Sequence, residues 1–427
     1  MTRFTRRHAA MLGLLGGLAP SLPPAPGRAQ PGPSQPGPAH AGPNDDGPDI
    51  DAFLSHAEGE AGAEVNAFLG PGGTDVPFWA RLSEAERPSV TWAPDRAAPD
   101  YLGLAEEPAS ADSFRITAET LMQHAALNGY AVPPKGAWPQ RGPALLFGLR
   151  GCVPVAKVAS FGPSLELRES TPNHQTFQCT LGILRPDGTL AGFPASTVCN
   201  ADYMYVQTKL ASGKYANLLP TGLHSYKVGT HRATSPNPLP VALLQQRQVM
   251  VLRTRKLDDN KMQFRASDDW DGPLLPCDNI HVAYGDDDRR YPLKFDSAGC
   301  QVIPGYFREG KMTGPWAEFC RALGTVGADY VPDTSRNDDT AQYTYMLLTG
   351  REARLLAAGK PDAGLKRLRF GSSGPAVTAL RAKLRLRAGD QFDASVQAAL
   401  IKWQQDQAPR ATAILTPAEA ADLGVTL

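Results

Sequence analysis

CTLGILRPDGTLAGFPAST, Cys179–Thr197, is the stretch whose reading decides the fold. Pro186, Asp187 and Gly188 stand between two short apolar runs. Proline presets φ for a turn, aspartate bonds to its own backbone, and glycine accepts a left-handed conformation, so the stretch predicts a β-hairpin. Outward from it lie more short runs rich in β-branched and aromatic residues, divided by turn residues: LLFGLRGCVPVAKVASF from Leu145, LELRES from Leu165, YMYVQTKL from Tyr203, HSYKVGT from His224, VALLQQRQVMVLRTRKL from Val241 and NIHVAY from Asn279. Together they predict a mostly antiparallel sheet or barrel in the middle of the chain.

Helical signals flank this region. ITAETLMQHAALNGY offers Thr117 as a cap, apolar Leu121, Met122 and Ala125, and Gly129 as a stop. GPWAEFCRALG predicts a short helix starting near Pro315, and YTYMLLTGREARLLAAG reads as a hairpin or strand pair. From about Leu365 the composition turns to helix formers, with Pro375 near a helix start, Val377, Leu380 and Leu384 at helical spacing, and then Val396, Leu400 and Trp403. The expected class is therefore α+β: a β-rich domain over residues 144–330, a connecting hairpin or linker over 331–362, and a small helical domain over 363–427. Residues 49–143 form an accessory region, with one helix expected in DIDAFLSHAEGEAGAEVNAFLG.

The N-terminal TRFTRRHAAMLGLLGGLAP pairs Arg6 and Arg7 ahead of a glycine-broken apolar run, which resembles a twin-arginine export signal. The run is too short to span a bilayer, and Gly27-Arg28-Ala29 offers a small-x-small cleavage site. Residues 1–29 are read as a signal, 30–48 as a proline- and glycine-rich tether, and the mature protein as periplasmic with no stable membrane insertion. Lys+Arg and Asp+Glu both number 43, so no global charge favours a nucleic-acid partner. Six cysteines, Cys152, Cys179, Cys199, Cys277, Cys300 and Cys320, sit in a chain whose export would permit disulfides. Cys179 and Cys199 lie on the two arms of the hairpin stretch, although the direct register misses by a few residues.

FDSAGCQVIPG, Phe295–Gly305, places Cys300 directly after a glycine. A catalytic thiol needs a base in reach and donors for a developing oxyanion, and a preceding glycine permits the sharp turn that aims backbone N–H groups at a carbonyl. His281, on an apolar run, can meet Cys300 if the two flanking strands are neighbours. Spacing alone leaves disulfide, buried filler and nucleophile all open.

These residues also carry a resemblance. I-H, fifteen residues from Val282 to Asp296, then S-A-G-C is similar to the active-site pattern of the L,D-transpeptidase (YkuD) family. RPDGTLAGFPAST resembles that family's early hairpin, and LLPTGLHSY its P-T-G-x-aromatic segment at Pro220, Thr221 and Gly222. The resemblance implies a β-rich catalytic fold acting on peptidoglycan stem peptides through a thioester, with no cofactor or metal. Cys300 would be the nucleophile, His281 the base, Gly299 and Cys300 the oxyanion donors, and Ser297 the residue that shapes the turn. His224 and Tyr226 would face the substrate groove, and Arg289 or Arg290 would pair with a stem-peptide carboxylate. Ala298 stands where the family has histidine, and Gln301 and Val302 replace a small apolar residue followed by Arg or Asn; those positions border the donor peptide. The resemblance therefore leaves two expectations open, the usual crosslink or, as in divergent branches of the family, one made with L-Ala at position one as acyl donor. LRFGSSGPAVTALRAKL resembles a peptidoglycan-binding module. A hydrolase using the same pair, and a non-catalytic wall-binding protein, are the competing expectations. His224 and His231 in HSYKVGTH read as strand or loop residues in preference to a metal pair.

Overall fold

The computed structural model describes residues 82–427 except 94–97, 106–111, 134–142, 157–159, 211–213, 234–237, 258, 285–294 and 336–341. The signal segment, the tether and the helix expected after Asp49 lie outside the described residues, as do Arg289 and Arg290. In chain order the elements are β1 (Ser113–Ile116), α1 (Ala118–Leu127), β2 (Leu145–Arg150), β3 (Cys152–Pro154), β4 (Leu165–Glu169), β5 (Cys179–Leu184), β6 (Leu190–Ala195), α2 (Ala201–Lys209), β7 (Gly222–His231), β8 (Leu239–Gln245) and β9 (Val249–Arg253). They continue as β10 (Asp269–Leu274), β11 (Ile280–Tyr284), β12 (Gln301–Arg308), β13 (Lys311–Met312), α3 (Gly314–Leu323), β14 (Gln342–Thr349), α4 (Gly350–Ala357), α5 (Pro375–Lys383), α6 (Ala394–Gln407) and α7 (Pro417–Leu423).

Nine strands form one sheet in the order β13-β12-β11-β8-β7-β14-β2-β5-β6. All its pairings are antiparallel except β11 with β12 and β14 with β2. The class is α+β around a large, mostly antiparallel sheet, as the runs of the sequence predict. β5 and β6 make the hairpin, with Leu184 opposite Leu190 and Cys179 opposite Ala195. In its turn Gly188 takes φ +88° and Asp187 accepts from the Thr189 N–H at 2.8 Å. Cys199 therefore lies four residues beyond Cys179's partner, and Cys179 Sγ instead accepts a hydrogen bond from Thr197.

The sheet curls until its far edges touch. Just past β6, Ser196 exchanges both backbone hydrogen bonds with Val302 of β12, at 2.8 and 2.9 Å. Inside the curl lies an apolar core in which Ile183, Phe193, Val228, Ile280 and Ile303 meet Trp316 and Phe319 of α3. Burial of this apolar surface is the main force that holds the curl closed.

Three expectations need correction. YMYVQTKL is not a strand: it lies within α2 but for its last residue, capped by the Asn200 side chain, which accepts from the Tyr203 N–H. Its residues from Ala201 to Gln207 are all buried, so no polar face marks it as helical in the sequence. TGREARLLA is likewise helical, since Thr349 and Glu352 close a capping box that starts α4. The supposed linker over 331–362 supplies β14, which pairs with β7 on one side and β2 on the other near the middle of the sheet.

Described residues before and after the sheet strands are woven into this body. Asp100 forms a buried ion pair with Arg150 and accepts from the backbone and hydroxyl of Thr221. Arg369 pairs with Glu352 at 2.5 Å and donates to Thr221 Oγ1, with all three side chains buried. Phe370 stacks on His224. A Cβ on Gly222 would lie 2.7 Å from the Phe370 carbonyl, so glycine there permits the close approach. α5, α6 and α7 share a core of Val377, Leu380, Val396, Leu400 and Leu415. α6 is fastened to the body by Ile401, which packs with Met250, and by Gln397, which accepts from the Met250 N–H at 3.1 Å.

Candidate functional site

β11 and β12 run parallel as neighbours, with Ile280 opposite Gln301 and His281 opposite Val302. That register sets Cys300, the residue before β12, beside the start of β11, on the same side of the sheet as His281. The Cys300 sulfur and one ring nitrogen each of His281 and His231 lie within 4.8 Å of one another. All three residues are buried, Cys300 with 6 % of its surface exposed.

The turn carrying the thiol is tied down at four successive carbonyls. Ser297 O accepts from Asn200 N at 2.8 Å and Ala298 O from Asn217 N at 2.9 Å. Gly299 O accepts from Gln301 Nε2 at 3.0 Å and Cys300 O from Ser297 Oγ at 2.7 Å. Asn200 also donates through its amide to Phe295 O at 2.6 Å. A buried turn with its carbonyls so fully engaged has little freedom to reorganise. Gly299 is required for its close approach: a Cβ there would lie 2.3 Å from Asp278 Oδ1 and 2.5 Å from Asn217 Oδ1.

His281 has one defined tautomer. Its Nδ1 lies 2.7 Å from the Val282 carbonyl, which can only accept, so the ring proton is on Nδ1. Nε2 is then a lone pair, buried and without a hydrogen-bond partner. Burial, with a contribution from Arg232, lowers the His281 pKa to about 4, so the ring is neutral at neutral pH. Cys300 Sγ points at the Cys277 carbonyl, 3.3 Å away. Cys277 itself has φ +59°, in the left-handed region, and all six cysteines are free thiols.

His231 is defined equally well. Asn279 Oδ1 accepts from the Gln245 backbone N–H at 2.9 Å, which fixes the orientation of that amide. Its Nδ2 therefore donates to His231 Nδ1 at 3.0 Å, leaving the His231 proton on Nε2. Two imidazoles and a thiolate are zinc-type ligands. An ion here would need His231 to present a lone pair, and the one it has is already taken by Asn279.

The other anticipated residues fall in different places. Ser297 shapes the turn, but it also receives the Gly299 N–H at 3.3 Å, so that N–H points into the turn and not toward an oxyanion. Tyr226 and His224 do not line a groove. Both are buried: Tyr226 donates to Asp278 O at 2.8 Å, and His224 Nε2 bonds to Pro220 O. Gln301 is buried beneath the turn, and Ala298 is half-buried against the cluster around α2. His224 and His231 do not form a pair, since one stacks on Phe370 and the other on His281.

Asn200, Asn217, Asp278 and Asn279 were not singled out in the sequence. Asp278 is fully buried, and burial raises its pKa to about 7 against the opposing hydrogen bond from Asn217. Asp278 Oδ2 and Asn217 Oδ1 both lack a partner, and a protonated carboxyl supplies a donor for such a pair of oxygens. Compared with family models, with curated proteins and with solved structures, the chain matches none.

Proposed function

We propose that the protein is a peptidoglycan L,D-transpeptidase that works through a thioester on Cys300. The reading rests on the resemblance of I-H and S-A-G-C to that family. The observation that carries it is the meeting of Cys300 with His281, whose only lone pair is unpartnered, across two parallel strands. The curled sheet is taken as the family's catalytic fold and α5 to α7 as a peptidoglycan-binding-like module. Residues 1–29 are taken as a twin-arginine signal that delivers the enzyme to the periplasm.

In this reading the Cys300 proton passes to His281 Nε2 as the sulfur attacks the carbonyl on the L side of an L,D peptide bond. The C–N bond breaks, and the departing D residue's amine takes the proton from His281. An acceptor amine then attacks the thioester, the C–S bond breaks, and the amine's proton returns through His281 to the sulfur. The Val282 carbonyl orients His281 in the place of a third acidic residue. The departure at Ala298 from the family's histidine leaves a branch that uses L-Ala at position one as donor as the alternative to the usual crosslink.

Incubation of the purified protein with muropeptides, followed by tandem mass spectrometry, tests the proposal. New dimers that depend on Cys300 are the expected product, and the fragment masses identify the bond. Shortened stem peptides without dimers would mark a hydrolase, with water as the acceptor. Unchanged muropeptides, together with no mass increase on exposure to a carbapenem, would refute both.

A further inference from the structure

His231 lies outside the reaction just described, yet it is built into the site. Its ring lies face to face with His281, centroids 4.2 Å apart and planes 12° from parallel. It arrives from β7, two strands away from β11 in the sheet, and the register of β7 with β8 shifts between Gly229 and His231, next to where it turns inward. The relay from Gln245 N–H through Asn279 occupies its Nδ1 lone pair. His231 therefore cannot compete for the thiol proton without breaking that relay, whereas the His281 Nε2 lone pair has no partner to give up.

We propose that His231 is a positioning residue for the base, holding the His281 ring beside the thiol and stacking a neutral aromatic face on the imidazolium that forms when the proton moves. The proposal rests on Cys300 acting as nucleophile and His281 as its base. A cation over a neutral aromatic face is stabilised, most of all where water is excluded, and this pair is buried. Two protonated rings at this separation would repel. The His231 pKa is accordingly held well below its ordinary value, by burial first and then by His281. Among the described residues, the charged groups facing the pair are Arg232 and Asp296, which form an ion pair at 2.7 Å, with Arg232 the stronger influence of the two. On the thiol side stand Tyr226, held as the neutral phenol, and the Cys277 carbonyl.

The test is the rate of Cys300 alkylation by iodoacetamide across pH in the full chain, which reads the thiol without any wall substrate. His231→Ala should slow alkylation about tenfold near neutral pH and displace the midpoint of its pH profile. His231→Phe, which restores a flat neutral face, should recover most of that loss. Wild-type rate and profile in a folded His231→Ala protein overturn the proposal. A second measurement needs no variant: the imidazole nitrogen NMR spectrum of the wild-type protein should show His231 protonated on Nε2 and His281 on Nδ1. Protonation of His231 on Nδ1 also overturns it. If the variants behave as expected but muropeptides are untouched, the transpeptidase reading alone fails.

Discussion

At the scale of single residues, the site is a set of hydrogen-bond assignments around one sulfur. Gly299 has the least tolerance. Gly299→Ala would drive a methyl into Asp278 and Asn217, so the turn must shift, and alkylation of Cys300 is expected to fall by roughly tenfold to a hundredfold. An unaltered rate would mean that the turn does not position the thiol. Asp278 makes a pH prediction of the opposite kind to most carboxylates. Its folded pKa is raised to about 7 from 3.8, so its contribution to stability is complete below 3.8 and is lost as pH rises through 7. Asp278→Asn should remove that loss, and melting temperatures of the two proteins should converge at acid pH and separate in the variant's favour above 7. The meeting of Cys300 and His281 was legible because it leaves a local signature, a glycine before the thiol and a histidine one strand earlier. Asn279 and His231 were not, because their roles depend on which amide and which ring tautomer meet across strands far apart in sequence.

At the scale of elements, α2 matters beyond its length. Its cap, Asn200, accepts from Tyr203 N, donates through its side chain to Phe295 O and gives its backbone N–H to Ser297 O. Asn200→Ala is expected to cost about 1–2 kcal/mol in urea unfolding and to slow thiol alkylation as well. A stability loss without a kinetic effect would separate the helix from the turn. The hairpin of β5 and β6, and the strands β7, β8, β9 and β11, could be read from alternation and turn residues. α2 could not, since its aromatic and β-branched residues imitate a strand and burial on all sides erased the helical stripe. For α4 the signal was present in Thr349 and Glu352 three residues apart, but the apolar run of β14 that leads into it masked the switch of period.

At the scale of the whole molecule, charge burial governs acid sensitivity. Burial lowers the pKa of His124, His174, His224 and His281 to about 4 each. Their stabilisation is complete above 6.5 and is lost as pH falls from 6.5 toward 4, by about 1.4 kcal/mol per pH unit for each proton taken up on unfolding. Glu352 continues the trend lower down: its pKa is held at about 2 by Arg369 and Arg367 despite burial, so its contribution disappears as pH drops below 4.5. A melting temperature that stays level from pH 7 to 4.5 would contradict this account. Arg369→Ala should destabilise the chain by about 3–5 kcal/mol, because Glu352 would be left as a buried, uncompensated charge. Calorimetry should show the transition of the whole body shift and not only a late helical one. That same anchor orders events during synthesis. The ribosome finishes β2, β7 and β11 long before it emits Arg369 and Phe370, yet Thr221, Glu352 and His224 gain these partners only when that arm arrives. A nascent chain that already holds Cys300 therefore lacks these buried contacts until translation has passed the arm.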